Sequence, residues 1–166
     1  MIPNEVNYIY RGLELEITGL KPETEGQDYE AGYFCINSKV VISRKAKVTP
    51  KKIGQFVTLW KRDEDGVTCP LSINEDFSLV IINVVREGLC GQFVFPKDIL
   101  EEKKIISSKR STGKRGFRLY APWDEPESKQ AMTSKKWQVK YFLDFKLDKK
   151  ILMRKAAELY HGVLDE

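Results

Sequence analysis

FSLVIINVV, Phe77 to Val85, carries apolar side chains on both alternating faces. A strand with one wet side alternates apolar and polar residues, so this run predicts a central strand covered on both sides. Glu87-Gly88 follows as a turn, and Gln92 to Phe95 returns as the partner strand. Upstream, Tyr33 to Ile36 and Lys39 to Ser43 flank Asn37-Ser38 and predict a second hairpin. Downstream, Pro96 opens a short helix to about Lys103, and Gly116 to Tyr120 (GFRLY) reads as a further strand beyond the loop Ser107 to Arg115.

Helical periodicity fills the intervals. Val6, Ile9, Tyr10, Leu13 and Ile17 recur at steps of three and four, predicting a helix from Glu5 to Ile17, with a polar linker from Lys21 to Asp28. Thr49-Pro50 has the form of a helix start, and Ile53, Phe56, Val57 and Trp60 then share a helical face to about Trp60. Asp124-Glu125-Pro126-Glu127 predicts a capped helix to Tyr141, and Lys149 to His161 a last one with Leu152, Ala156, Leu159 and Val163 on one side. Two hairpins, an extra strand and helices between them give an α+β fold with a mainly antiparallel sheet, and 166 residues suit a single domain.

Composition narrows the function classes. No segment approaches the run of ~20 apolar residues that spans a bilayer, and the N-terminus lacks the pattern of a secretory signal, so the expected compartment is the cytoplasm with no membrane partner. Cys35, Cys69 and Cys90 form no CxxC pair and are expected as reduced, buried thiols. One histidine, His161, leaves neither a histidine-based triad nor a HExxH zinc site.

Charge is segregated. Arg44 to Arg62 holds seven cations and no acid, and Lys103 to Arg118 holds seven more, again with none; these are half of the 28 in the chain. Acids gather at Glu23 to Glu30, Asp63 to Asp65 and Asp124 to Glu127. Lys51 and Lys52 would sit in the first turn of the Thr49 helix, where the macrodipole disfavours cations and a bound phosphate would favour them; two lysines in water are the plain alternative. The loop SSKRSTGKRGFRLY has the hydroxyls, glycines and arginines of a phosphate-binding turn, yet Ser108 and the residue after Lys114 break the Walker A pattern. Arg44, Lys47, Lys51, Lys52, Arg62, Lys114, Arg115, Arg118 and Lys129 are therefore the candidate phosphate contacts, with Gln55 or Trp123 touching a base. Trp137 and Tyr141, at helical spacing, are expected to pack in the core.

RKAKVTPKKIGQFVTLWKR (Arg44 to Arg62), GQFVFPKDIL (Gly91 to Leu100), GKRGFRLYAPWD (Gly113 to Asp124) and SKQAMTSKKWQVKYF (Ser128 to Phe142) together resemble the MepB-like family, over roughly residues 26–145. Residues 1–25, with the first helix, and 146–166, with the last, lie outside that core. The family takes its name from a multidrug exporter gene cluster, and its members are largely of unknown biochemical function. The resemblance implies a bent antiparallel sheet flanked by helices, with some likeness to nucleic-acid-binding and nuclease folds, and no cofactor. The reading this favours is a polyanion-binding module whose partner is DNA or RNA, bound with little sequence preference. Two alternatives stand beside it. A metal-dependent nuclease would need clustered carboxylates, for which Glu30 and Asp76 are the weak candidates; Gln92 lies on the next strand and Val94 stands where such enzymes carry lysine. An accessory protein would take a protein partner, or a small anion near Gln55 and Arg118.

Overall fold

The computed structural model describes residues 4–164. Among them a six-stranded sheet runs in the order β1 (Ile17–Pro22), β2 (Gly32–Ile36), β3 (Lys39–Lys45), β8 (Leu79–Arg86), β9 (Leu89–Pro96), β11 (Phe142–Asp144). A three-stranded sheet is ordered β10 (Gly116–Leu119), β5 (Gln55–Thr58), β4 (Lys47–Val48), and β6 (Trp60–Arg62) pairs with β7 (Thr68–Pro70). All neighbours are antiparallel except β3 and β8, where Val41 stands opposite Leu79 and Lys45 opposite Asn83. The fold is α+β, and its sheets are mainly antiparallel.

β8 is the strand that FSLVIINVV predicts. Val80, Ile82 and Val84 enter one apolar cluster with Phe93, Phe95, Val57, Phe117 and Leu119, on the side of the three-stranded sheet. Leu79 and Ile81 enter the other, with Val94 and with Val6, Ile9 and Tyr10 of α1 (Asn4–Gly12) and Leu152, Ala156 and Tyr160 at α4 (Lys149–Leu159). Both faces of the strand are thus dry. On the second face lies a buried polar chain: Tyr10 Oη meets Tyr160 Oη at 2.9 Å, the Tyr160 hydroxyl donates to Gln92 Oε1, and Gln92 Nε2 donates to Asn83 Oδ1 at 2.9 Å. Burial pushes both phenols above their ordinary pKa, so they are neutral donors at any physiological pH. The hairpins turn where expected, through Asn37 and Ser38 (φ 49° and 66°) and through Glu87 and Gly88 (φ 48° and 81°), the positive-φ pairs that match strand twist.

Three helical expectations are corrected. The segment Thr49 to Trp60 is not helical. Pro50 and Lys51 (φ 62°) form a turn closed by Lys52 N–H on Thr49 O, and β5 follows. Gln55, Val57 and Leu59 point inward while Phe56, Thr58 and Trp60 are half-buried, an alternation of period two. Gly54 sets the break: its φ is 81°, and a Cβ there would strike the Leu119 carbonyl oxygen and lie 2.9 Å from the Tyr120 ring. Gly54→Ala is accordingly expected to lower stability by about 2 kcal/mol or more, through left-handed strain plus overpacking, as a shift in urea midpoint. The first helix ends at Gly12 rather than Ile17, because Glu14 (φ 56°) turns the chain and Leu15 N–H closes on Tyr10 O at 2.8 Å; Ile17 begins β1, which takes up the first residues of the expected linker. The third helix, α3, is Lys129–Gln138, capped by Ser128 Oγ on Ala131 N–H. Asp124, the expected cap, instead accepts from Ala121 N–H at 2.8 Å. α2 is Lys97–Glu102, close to its expected span.

Candidate functional site

β10 presents Phe117 and Leu119 to the core and turns Arg118 the other way. α3 packs beside it, fixed by Gln138, whose Oε1 accepts from Tyr120 N–H at 2.8 Å and whose Nε2 donates to Arg118 O at 3.0 Å. Between strand and helix lies a cleft of about 330 Å³. Lys103, Lys114 and Arg118 line it with Ser128, Gln130 and Ser134, while Phe117, Tyr120 and Trp137 supply aromatic surface; no carboxylate is among the lining residues. The reason is visible in the sequence: one wall comes from the acid-free residues 103–118, and the other from residues 128–143, which carry Lys129, Lys135, Lys136 and Lys140 and again no acid. Arg118 is held by neutral acceptors, Thr49 Oγ1 at 2.8 Å and Ile53 O at 3.3 Å, so its charge is placed without being neutralised by those partners.

Arg118 also begins a row across the three-stranded sheet. It stands opposite Phe56, and Phe56 opposite Lys47. Residues directly opposite in adjacent strands project to the same face, so cation, ring and cation stand side by side, with the Arg118 guanidinium 5.8 Å from the Phe56 ring centre. Gly116 makes room for that ring, since a Cβ there would lie 2.7 Å from it.

The other cations expected to touch phosphate are distributed differently. Arg44 is 5% exposed and bonded to Ser43 O and Thr58 O, and Glu23 lies 2.8 Å from its Nη1. Burial lowers its pKa and the Glu23 carboxylate opposes that shift. Arg62 is clasped by Glu25, whose carboxyl is held below its ordinary pKa by that hydrogen-bonded guanidinium. These two arginines line a separate cleft of about 450 Å³ with Glu23, Glu25, Tyr33 and Trp60. Arg115 donates to Thr68 O at 3.2 Å. Lys51 and Lys52 are exposed on a turn, so the helix N-terminus expected to join them in holding a phosphate does not exist. Lys129 is exposed at the start of α3.

The two residues expected to meet a base are also placed elsewhere. Gln55 is 2% exposed and donates to Val85 O at 3.1 Å; it lies under the sheet, on the face opposite the Arg118 row. Trp123 packs edge-on against Phe142 at 5.3 Å. Trp137 both packs against Phe95 at 5.5 Å and borders the basic cleft, a double position that helical spacing alone does not reveal. Ser128 and Gln130, which the sequence places with Lys129 at the head of the third helix as further phosphate contacts, and Lys103, which opens the second acid-free stretch, do line the cleft. Ser134 is not legible as a site residue from its own neighbours; the signal that points to it is the missing acid in residues 128–143.

The carboxylates of the nuclease alternative do not gather. Glu30 is 3.3 Å from Lys45, Asp76 is exposed ahead of β8, Gln92 is committed to the buried chain, and Val94 is in the core. Among the described residues no group of three or more His, Cys, Asp or Glu is arranged to hold a metal ion. The cysteines are free and half-buried rather than buried. Among the described residues no helix is long and apolar enough to cross a membrane.

The model of the MepB-like family matches residues 23–144. Among solved structures, the crystal structure of MepB aligns with a TM-score of 0.79 and 36% sequence identity, over 89% of this chain and 100% of that one. No curated protein matches the sequence. The matched span holds every strand from β2 to β11 and both walls of the basic cleft, and the MepB structure extends the likeness beyond it: the chain belongs to the MepB-like family.

Proposed function

We propose that this protein is a cytoplasmic module that binds the phosphate backbone of nucleic acid, as a polyanion and with little sequence preference, in the cleft between β10 and α3. The observation that carries the reading is the lining of that cleft by Lys103, Lys114 and Arg118 with no carboxylate. A positive concavity attracts anions, and low-dielectric walls focus its field; Glu102, 3.7 Å from Lys103, offsets one of the three charges from outside the lining. The aromatic surface of Trp137 and the Lys47–Phe56–Arg118 row add support, since binders of single strands combine a cationic track with rings on which bases stack. Contacts of this kind position a strand without reading it. A reducing compartment suits three free cysteines.

The test is a fluorescence-anisotropy titration with labelled single- and double-stranded DNA and RNA at two salt concentrations, with and without magnesium. Saturable binding that weakens steeply with salt, on a probe recovered intact, is the expected result. Affinity that barely responds to salt would replace nucleic acid with a small anion, and magnesium-dependent cutting would replace a binding module with a nuclease.

A further inference from the structure

The β10–α3 cleft uses one acid-free stretch and leaves the other, residues 44–62, to be explained. That stretch is covered. Glu23 lies 2.8 Å from Arg44, Asp28 3.7 Å from Lys47 and Glu30 3.3 Å from Lys45. Glu25 takes Arg62 through both carboxylate oxygens, at 2.7 to 3.0 Å. Four carboxylates spaced over eight residues therefore meet four cations of one stretch, and the ring of Tyr29 lies 5.3 Å from the Lys47 ammonium among them.

The loop that carries these acids joins β1 to β2 and is closed by its own backbone, with Glu23 N–H on Ala31 O at 2.9 Å and Ala31 N–H on Gly26 O at 3.2 Å. Its shape does not depend on the ion pairs. Three of the pairs are exposed on both sides, their carboxylates 42% to 85% and their cations 45% to 48% exposed, and exposed pairs contribute little to stability, less in salt; Glu23 differs, because its Arg44 is buried. The fork that Arg62 offers Glu25 suits a phosphate equally well. Lys47 ends the row that starts at Arg118 in the cleft, two strand spacings or about 10 Å away.

We infer that residues 23–30 stand in for a polyanion, and that Lys45, Lys47 and Arg62 form a second phosphate-binding surface, which a nucleic-acid strand leaving the cleft gains by exchanging its phosphates for the Glu25, Asp28 and Glu30 carboxylates; Arg44, buried under Glu23, stays a structural pair. The inference rests on the nucleic-acid reading of the cleft. Its partner is the same strand, continued past Lys47.

The experiment compares two folded triple variants that lose equal charge: Glu25→Gln/Asp28→Asn/Glu30→Gln in the loop, and Glu14→Gln/Glu16→Gln/Glu158→Gln, three exposed acids outside it. The probe is a labelled 20-nucleotide oligo-dT, titrated at two salt concentrations. The loop triple should bind about fivefold or more tighter than wild type with a steeper salt slope, and the control triple within about twofold, because freed cations add phosphate contacts while remote charge adds only field. Adding Arg62→Gln to the loop triple should remove part of the gain. Equal affinities for the two triples, or a folded loop triple no tighter than wild type, overturns the inference. If Lys114→Ala/Arg118→Ala abolishes binding while the triples behave alike, the cleft stands and the second surface falls. If wild type does not bind and the loop triple does, the cleft falls and the second surface stands. If none binds, both fall.

Discussion

Lys114→Ala/Arg118→Ala is expected to weaken single-stranded nucleic-acid binding by about 10- to 100-fold near physiological salt. The range corresponds to losing two solvent-screened phosphate contacts at roughly 0.7 to 1.4 kcal/mol each, the typical net worth of a hydrogen bond. The plot of log affinity against log salt should lose about 1.4 from its slope, since each single-strand phosphate contact contributes about 0.7. Arg118 also holds Thr49 and Ile53, so the single Lys114→Ala variant is the cleaner probe. It should carry about half of the slope change with an unaltered thermal midpoint. An unchanged slope in both folded variants would remove the cleft from the function.

Gln92→Ala is expected to lower unfolding free energy by about 3 kcal/mol or more and to leave nucleic-acid affinity where it is. Its amide is fully buried, with the Tyr160 hydroxyl on one side and Asn83 on the other. Truncation strands both partners, at about 1 to 3 kcal/mol each, and opens a cavity besides. Chemical denaturation reads the first effect and anisotropy the second. Loss of binding at full stability would return Gln92 to the functional surface that the nuclease alternative suggested for it.

What the sequence reveals divides along locality. β8 was readable because a strand dry on both faces writes an uninterrupted apolar run, and both hairpins because two-residue turns demand residues tolerant of positive φ. Residues 49–60 depart from the helical expectation because a buried glutamine, Gln55, occupies an inward position of β5 and hides the alternation, while Ile53, Phe56, Val57 and Trp60 happen to fit a helical face as well. With that helix the proposed phosphate site at Lys51 and Lys52 also went. The basic stretches were legible as composition. Their partners were not, since only the fold sets residues 103–118 against 128–143, and 23–30 against 44–62.

The buried chain through Gln92 also sets an order of events. Its acceptor waits for a hydroxyl 68 residues further along, and the Asn37 turn waits for the carbonyl of Val163, 126 residues away. On a ribosome, both hairpins emerge long before either partner exists. One face of the central sheet, covered only by α1 and with the Gln92 carbonyl oxygen still lacking its donor, must then remain partly open until α4 arrives, so contacts of such long range make completion late and slow. A nascent chain halted before Tyr160 should therefore hold its sheet while still exposing that face to chaperones, and should become resistant to protease only when the last helix is released.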